Sequence, residues 1–453
     1  MYQVDWQQAF GIHSGRQVPF KRRCHYEYHQ FPQFTAFAGF DWATEKHDVA
    51  VLDPQGNVQL ELRFAHTAEG WAELKAKLAP LGKVGVAIET NCGPAVERLL
   101  DMGVAVYPMN PKAAERLCDR HAPSGVKDDA LAAWCFAEAL RTEGQNWRRL
   151  EPQDSQTQLL RLLCRDEMAL IEQRTAMVLQ LQAALHEYYP AALEAFDNWT
   201  VPSVWQFLIR FPTPQRLVQA GKKGWLKFFH THKLYRPETT EKRLEIFSRA
   251  DQFMSPSAAV IDAKSMLAVA LARQLDTLER QIQEYRRRIE ELFDQHPSSG
   301  LFKSLPGAGD KLAPRLLGEI GASPKTFDSP QGLQCLAGTA PVTRQSGKFR
   351  SVIIRRSCNM TLRTTVHLWA NASRQKCAWA EMYYQEKRRQ GKGHARALRC
   401  LGQRWLKIIW RMIQTNTPYD EARHMQSMLK HGSWVLAMMA PAPATGNTTT
   451  RVV

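Results

Sequence analysis

The sequence predicts an α/β domain on the N-terminal side, a long helical coiled-coil middle and a mainly α, strongly basic last third. Three observations carry this. Short apolar runs alternate with amphipathic stretches between residues 35 and 150. Apolar residues recur at i, i+3/i+4 through 151–190 and again through 257–295. Residues 301–453 hold 24 of the 60 Lys+Arg but only 7 of the 44 Asp+Glu.

Taken in order, residues 1–34 show no periodicity and read as an extension. TAFAGFDWA, HDVAVLD and NVQLELRF are strands, with Asp53-Pro54-Gln55-Gly56-Asn57 a hairpin turn between the last two. AEGWAELKAKLAPL has helical spacing, KVGVAIE is a compact buried strand, and PAVERLLDMG is a helix ended by Gly103. VAVYPMN is a strand, PKAAERLCDRH a helix opening on Pro111, and KDDALAAWCFAEALRTE a further helix. This gives one mixed sheet covered by helices over 35–150. Residues 151–297 then predict a long helical hairpin with a small bundle inserted at about 195–250. In that insert Lys222, Lys223, Trp225 and Lys227 are read as touching RNA, although packing is the commoner role for such aromatics. Residues 298–432 form the basic module and 433–453 a mobile tail.

At 453 residues, 44% hydrophobic and 9% aromatic, the chain has the composition of two or three globular domains, not of a disordered or collagen-like one. No run approaches the ~18 apolar residues of a membrane span, and the N-terminus lacks the apolar region of a signal peptide. Nine cysteines without a CxxC pair argue against structural zinc and a disulfide framework, and for a reducing, cytoplasmic setting. The net charge is +16. All of it lies in the last third, beside a slightly acidic domain at 36–150 with 13 Lys+Arg against 16 Asp+Glu. That split suggests a polyanion-binding module joined to one that uses carboxylates.

Asp41 ends the first predicted strand and Glu89 the fourth. If those strands are parallel neighbours, both carboxylates meet at one sheet edge, where a helix carrying Asp128 and Asp129 can pack. Hard divalent cations take such oxygen ligands, and two Mg²⁺ about 4 Å apart can activate a nucleophile and stabilise a leaving oxygen. Any one of these acids alone is more often a helix cap or a plain strand end; the ordered set is what points to a metal site.

In the basic module, residues 305–313 fit a helix-hairpin-helix pattern. Gly307, Gly309 and Lys311 would then face a phosphate, although a plain helix–helix turn fits as well. Ser346 lies in a loop beside Gly347, surrounded by Arg344, Lys348, Arg350, Arg355, Arg356 and Arg363. Guanidiniums can hold a phosphate and neutralise its transition state, while serine itself needs activation. Lys387, Arg388, Arg389 and Lys392 mark a basic turn between two further helices, a third candidate nucleic-acid contact.

GFDWATEKHDVAVLD, AIETNCGP, SGVKDDALAAWCFAEAL, SLPGAGDKLAPRLLGEIG, LAGTAPVTRQSGKFR and YYQEKRRQGKGHARAL together resemble one family. It comprises insertion-sequence transposases that join a RuvC-like DEDD domain to a catalytic-serine transposase domain, with pilin-gene inverting recombinases as relatives. The resemblance covers about residues 35–150 and 300–425. It implies an RNase H-like first domain, Asp41, Glu89 and Asp129 as catalytic acids and Mg²⁺ ligands, and Ser346 as a nucleophile forming a phosphoserine link to DNA. It also implies donor and target DNA, a noncoding bridge RNA and a dimer or tetramer in which the two sites come from different protomers. The setting would be a prokaryotic cytoplasm, beside the nucleoid. Ala132 departs from the pattern, because it stands where the fourth acid belongs, one helical turn from Asp129. Either this copy has decayed or alanine was installed to disable cleavage; the otherwise intact site favours the second, and an impaired enzyme is expected. Two other readings stay open: a RuvC-type junction nuclease using water, and a non-catalytic RNA/DNA-binding protein.

Overall fold

The computed structural model describes residues 34–91, 93–122, 128–250 and 256–435. Nearly all of the expected extension, Cys24, Cys92, Lys127 and most of the expected tail lie outside the described residues. The chain divides into two compact units, the first ending at Pro152 and the second beginning at Gln153.

In the first unit, alternation of apolar residues gives β1 (Ala36–Asp41), β2 (Lys46–Leu52) and β3 (Val58–Ala65). Asp53 closes the turn between β2 and β3 by accepting from the Asn57 N–H at 2.8 Å. There follow α1 (Ala68–Leu78), β4 (Val84–Ile88), α2 (Pro94–Asp101), β5 (Ala105–Pro108), α3 (Pro111–His121) and α4 (Asp129–Glu143). Local chemistry starts the helices. Thr67 accepts from the Gly70 N–H, Asn110 from Lys112 with Pro111 in the first turn, and Asp128 from Ala130.

The five strands form one mixed sheet in the order β3-β2-β1-β4-β5. β1 is antiparallel to β2 and parallel to β4, with Phe40 opposite Ile88. The parallel pairing anticipated for the strands of Asp41 and Glu89 is therefore present. Successive side chains of β1 go to opposite faces. Ala36, Ala38 and Phe40 join Trp71 and Leu74 of α1 and Val96 and Leu99 of α2. Phe37 instead joins Ala87, Tyr107, Ala114 of α3 and Cys135, Phe136 and Leu140 of α4.

The second unit opens with α5 (Ser155–Tyr188), whose partner is α10 (Ala258–Gln295). They run antiparallel, as the order of cross-links shows. Glu187 pairs with Lys264 at 2.7 Å, Arg174 with Glu279 at 2.5 Å and Glu167 with Arg286 at 2.9 Å, and Thr157 hydrogen-bonds His296 at 2.9 Å. Between them lie α6 (Pro190–Ala195), α7 (Pro202–Arg210), α8 (Pro214–Thr231) and α9 (Pro237–Ser248). Their aromatic side chains make a separate core around Trp205, Phe207, Phe229 and Phe247. Trp225 belongs to it, with its indole N–H donating to the Leu217 carbonyl at 2.8 Å. An RNA-facing role for Trp225 is thereby corrected: helical spacing turns it inward while Lys222, Lys223 and Lys227 stay exposed.

The remaining elements are α11 (Ser299–Lys303), α12 (Gly309–Ile320), α13 (Pro330–Leu336), β6 (Val342–Ser346), β7 (Phe349–Ile353), α14 (Met360–Ser373), α15 (Ala378–Arg389), α16 (His394–Thr415) and α17 (Glu421–Lys430). Trp369, Trp379 and Trp405, one from each of α14, α15 and α16, pack at the centre with ring centroids 4.9 and 4.7 Å apart. The loop expected around Ser346 is instead an antiparallel β6–β7 ribbon. Both its faces are largely exposed at the tip, so it lacks the one-sided apolar alternation that marks a strand in sequence.

Candidate active site

The first cluster is built by the close approach of α4 to β1. Gly39 permits it, because a Cβ there would stand 1.9 Å from the Ala133 carbonyl oxygen and 2.5 Å from the Ala137 nitrogen. This fixes the first turn of α4, with Asp129, beside the end of β1, where Asp41 stands. Glu89 follows β4 on the neighbouring parallel strand.

The electrostatics tie these acids together. Burial, followed by the charges of Asp129, Glu89 and Asp48, pushes the Asp41 carboxyl from its ordinary 3.8 up to about 7. Asp48 is a member the sequence reading does not anticipate. It is the register partner of Asp41 across β1 and β2, buried, and raised by that burial although Arg63 works against the shift. A carboxylate inside an otherwise apolar strand, HDVAVL, was the available signal. Arg63 on β3 stands 3.6 Å from both Asp48 and Asp129 and so bridges two of the acids.

Asp128 takes a different role. Its carboxylate caps α4, accepting from the Ala130 N–H at 3.2 Å. Ala132 is half-buried and packs against the cluster of Phe37, Tyr107 and Phe136. Burial raises the Cys118 thiol of α3, the nearby charges of Asp41 and Glu89 raise it further, and burial pushes Cys135 up to about 12. All seven described cysteines are free.

Among the described residues no three His, Cys, Asp or Glu side chains stand together closely enough to hold an ion. The chemistry of the donor set nevertheless fits a divalent cation. Burial and, after it, the neighbouring carboxylates raise Asp41, and a bound cation would relieve the repulsive part.

The second cluster lies in the second unit. Ser346 ends β6 and faces Phe349 across the ribbon. Gly347 begins the two-residue turn at φ +54°, the conformation a II′ hairpin requires. Arg344, Lys348, Arg350 and Arg356 are exposed. Arg363 is engaged elsewhere, donating to the Arg355 carbonyl. The base of the ribbon is braced. Asn359 caps α14 and donates to Glu319 at 2.6 Å, and Glu319 is held by Arg165 of α5 at 2.6 Å.

The 305–313 turn is partly built into the protein. Gly307 lies against the Ala372 backbone, and Trp369 donates to the Pro306 carbonyl at 3.0 Å. Gly309 and Lys311 at the start of α12 are exposed. In the later basic turn, Arg389 pairs with Glu386 at 2.6 Å, Arg388 donates to the Lys392 carbonyl at 3.1 Å, and Lys387 and Lys392 both donate to Gln390.

The comparisons with known proteins agree on the class of protein. Residues 38–190 match the IS110 DEDD family described as transposase, and residues 299–385 match the family described as transposase IS116/IS110/IS902. The mini-circle putative transposase for IS117 of Streptomyces coelicolor is 33% identical over 87% of this chain and 98% of its own length. An insertion element IS110 protein of the same organism is 26% identical, over 85% of this chain and 95% of that protein. An IS900 protein of Mycobacterium paratuberculosis is 25% identical, over 85% and 97%. The chain belongs to the IS110/IS116/IS902 family of insertion-sequence transposases. No described helix is long and apolar enough to cross a membrane.

Proposed function

We propose that this chain is a DNA recombinase that cuts and exchanges strands through Ser346, assisted by the carboxylates of the first unit. The observation that carries the reading is the set of Asp41, Glu89 and Asp129, where burial first and then the neighbouring carboxylates hold Asp41 near 7. Such a set requires positive charge to work at neutral pH. A divalent cation, Mg²⁺ in this reading, would be held by Asp41, Glu89 and Asp129 and would supply Lewis-acid stabilisation of oxyanions.

The remaining steps belong to the protein. Arg344 and Lys348 hold the scissile phosphate at the ribbon tip through charge-assisted hydrogen bonds, and Arg350, on the opposite face, adds to the positive field. The Ser346 hydroxyl attacks phosphorus. Its proton passes to a carboxylate of the acid set, and the 3′ or 5′ oxygen of the broken linkage takes up a proton and leaves as the hydroxyl end of the cut strand. Attack by a strand end on the phosphoserine bond completes the exchange and regenerates serine. The fold of the first unit is read as RNase H-like, consistent with its 3-2-1-4-5 mixed sheet. The active particle is an oligomer carrying a bridge RNA that selects donor and target DNA, and the excess of cations over residues 301–453 suits that load.

Ala132 makes this copy impaired, because an acid one turn beyond Asp129 would have joined the set. The test is a DNA cleavage assay on the element's junction with Mg²⁺, resolved under denaturing conditions. Ala132→Asp is expected to raise a protein–DNA adduct strongly, and Ser346→Ala in that background to abolish it. Cleavage that persists without Ser346 would instead favour a water-using nuclease. Tight binding without chemistry in Ala132→Asp would favour a non-catalytic protein.

A further inference from the structure

The β6–β7 ribbon exposes what a protein normally buries. Phe349 is 66% exposed and Val352 51%, and Ile354 just beyond the ribbon is 40% exposed. A two-stranded ribbon without a covered apolar face is marginal alone and is completed by a partner. The charge around it names the partner's chemistry. No Asp or Glu occurs from residue 329 to residue 380, a span that carries eight Lys and Arg. An acidic polymer with flat apolar faces fits such a surface, and nucleic acid has both.

The register then distinguishes Phe349 from its neighbours. Ser346 and Phe349 are directly paired at the closed end of the ribbon, so their side chains emerge on the same face, with Cβ atoms ~5 Å apart. Arg344, two residues before Ser346, shares that face. The II′ geometry at Gly347 fixes the spacing. A phosphate held between Arg344 and Ser346 thus brings the bases beside it within reach of the phenyl ring, since phosphates along one strand are only ~3.4 Å apart in rise.

The geometry points to Phe349 as a positioning residue: its ring wedges against the base next to the phosphate that Ser346 attacks, unstacking that step and presenting the linkage. Apolar side chains inserted at base steps unstack and kink duplexes, and an aromatic platform accepts any base because every base has a π face. The role deepens the proposed serine chemistry and rests on it. It gives the serine a locally opened step without requiring Phe349 to read sequence.

The test uses the full-length protein with its copurified RNA and duplex DNA of its own element's junction. Permanganate, which oxidises unstacked thymines, is applied to the Ser346→Ala complex, so that no cleavage intervenes. A hyper-reactive step is expected, lost in Ser346→Ala/Phe349→Ala and restored in Ser346→Ala/Phe349→Trp. In the Ala132→Asp background, Phe349→Ala should slow adduct formation about tenfold, Phe349→Trp should leave it near normal, and the melting temperature should not change. An unchanged footprint and unchanged adduct rate in Phe349→Ala would overturn the wedge while leaving the nucleophile intact. A Phe349-dependent footprint with no Ser346 adduct would instead sink the serine reading alone. A rate lost equally in Phe349→Ala and Phe349→Trp would also overturn stacking.

Discussion

A carboxyl group poised near 7 is half charged at physiological pH, and Asp41 is held there first by burial and then by Asp129, Glu89 and Asp48. The sign of the linkage follows. Because the folded value lies above the ordinary 3.8, the protonated form stabilises the fold, fully below about pH 4, and that contribution is lost as the pH rises through about 7. Removing the charge should therefore stabilise the cation-free protein. Asp41→Asn is expected to raise its stability at pH 7.5 by about 1 kcal/mol, after discounting for solvent screening, and to flatten its pH dependence between 4 and 7. The parent is expected to melt higher with Mg²⁺ than without it, and the same variant should lose that rise. Thermal melts with and without Mg²⁺ across that range check both; a destabilised Asp41→Asn would show that the repulsion is already relieved. The places of Asp41, Glu89 and Asp129 at strand ends and a helix start were legible because such ends can be located from pattern. Asp48 was not, because its proximity to Asp41 depends on the β1–β2 register rather than on any motif.

The elements that carry these residues differ in how openly the sequence declares them. Helix α3 announces itself through Asn110-Pro111, and α4 through Asp128 at its cap. The strands of the sheet declare themselves by apolar runs that must be buried. The β6–β7 ribbon does neither, since it buries little, and its strand character lies in pairing and in the turn at Gly347. The contact of α4 with β1 was equally hidden, because Gly39 within a strand signals close backbone approach without saying what approaches. Gly39→Ala should consequently cost about 3 kcal/mol, since backbone rather than a flexible side chain blocks the new methyl group. Chemical denaturation of the purified protein measures this. A loss below a few tenths of a kcal/mol would mean that α4 is free to move away.

At the scale of the whole molecule, the chain separates two chemistries. The first unit gathers carboxylates at one end of the central strands of a mixed sheet, while the second carries all the surplus positive charge and a serine at the tip of a ribbon. Buried ion pairs stiffen the frame behind that ribbon: Glu167 of α5 meets Arg286 of α10 at 2.9 Å and Arg315 of α12 at 2.6 Å. Such pairs are costly to break one partner at a time, which suits a scaffold that must hold its register. In the proposed reaction, acids and serine contributed by different protomers serve the same DNA linkage. The most direct test of this mixes two Ala132→Asp proteins, one also Ser346→Ala and the other also Asp41→Asn, with junction DNA, RNA and Mg²⁺. Neither alone should form a covalent adduct, and the mixture should recover it, with phosphoserine at residue 346 of the Asp41→Asn protein. Full adduct formation by the Asp41→Asn protein alone, or none in a mixture whose Ala132→Asp parent is active, would contradict it.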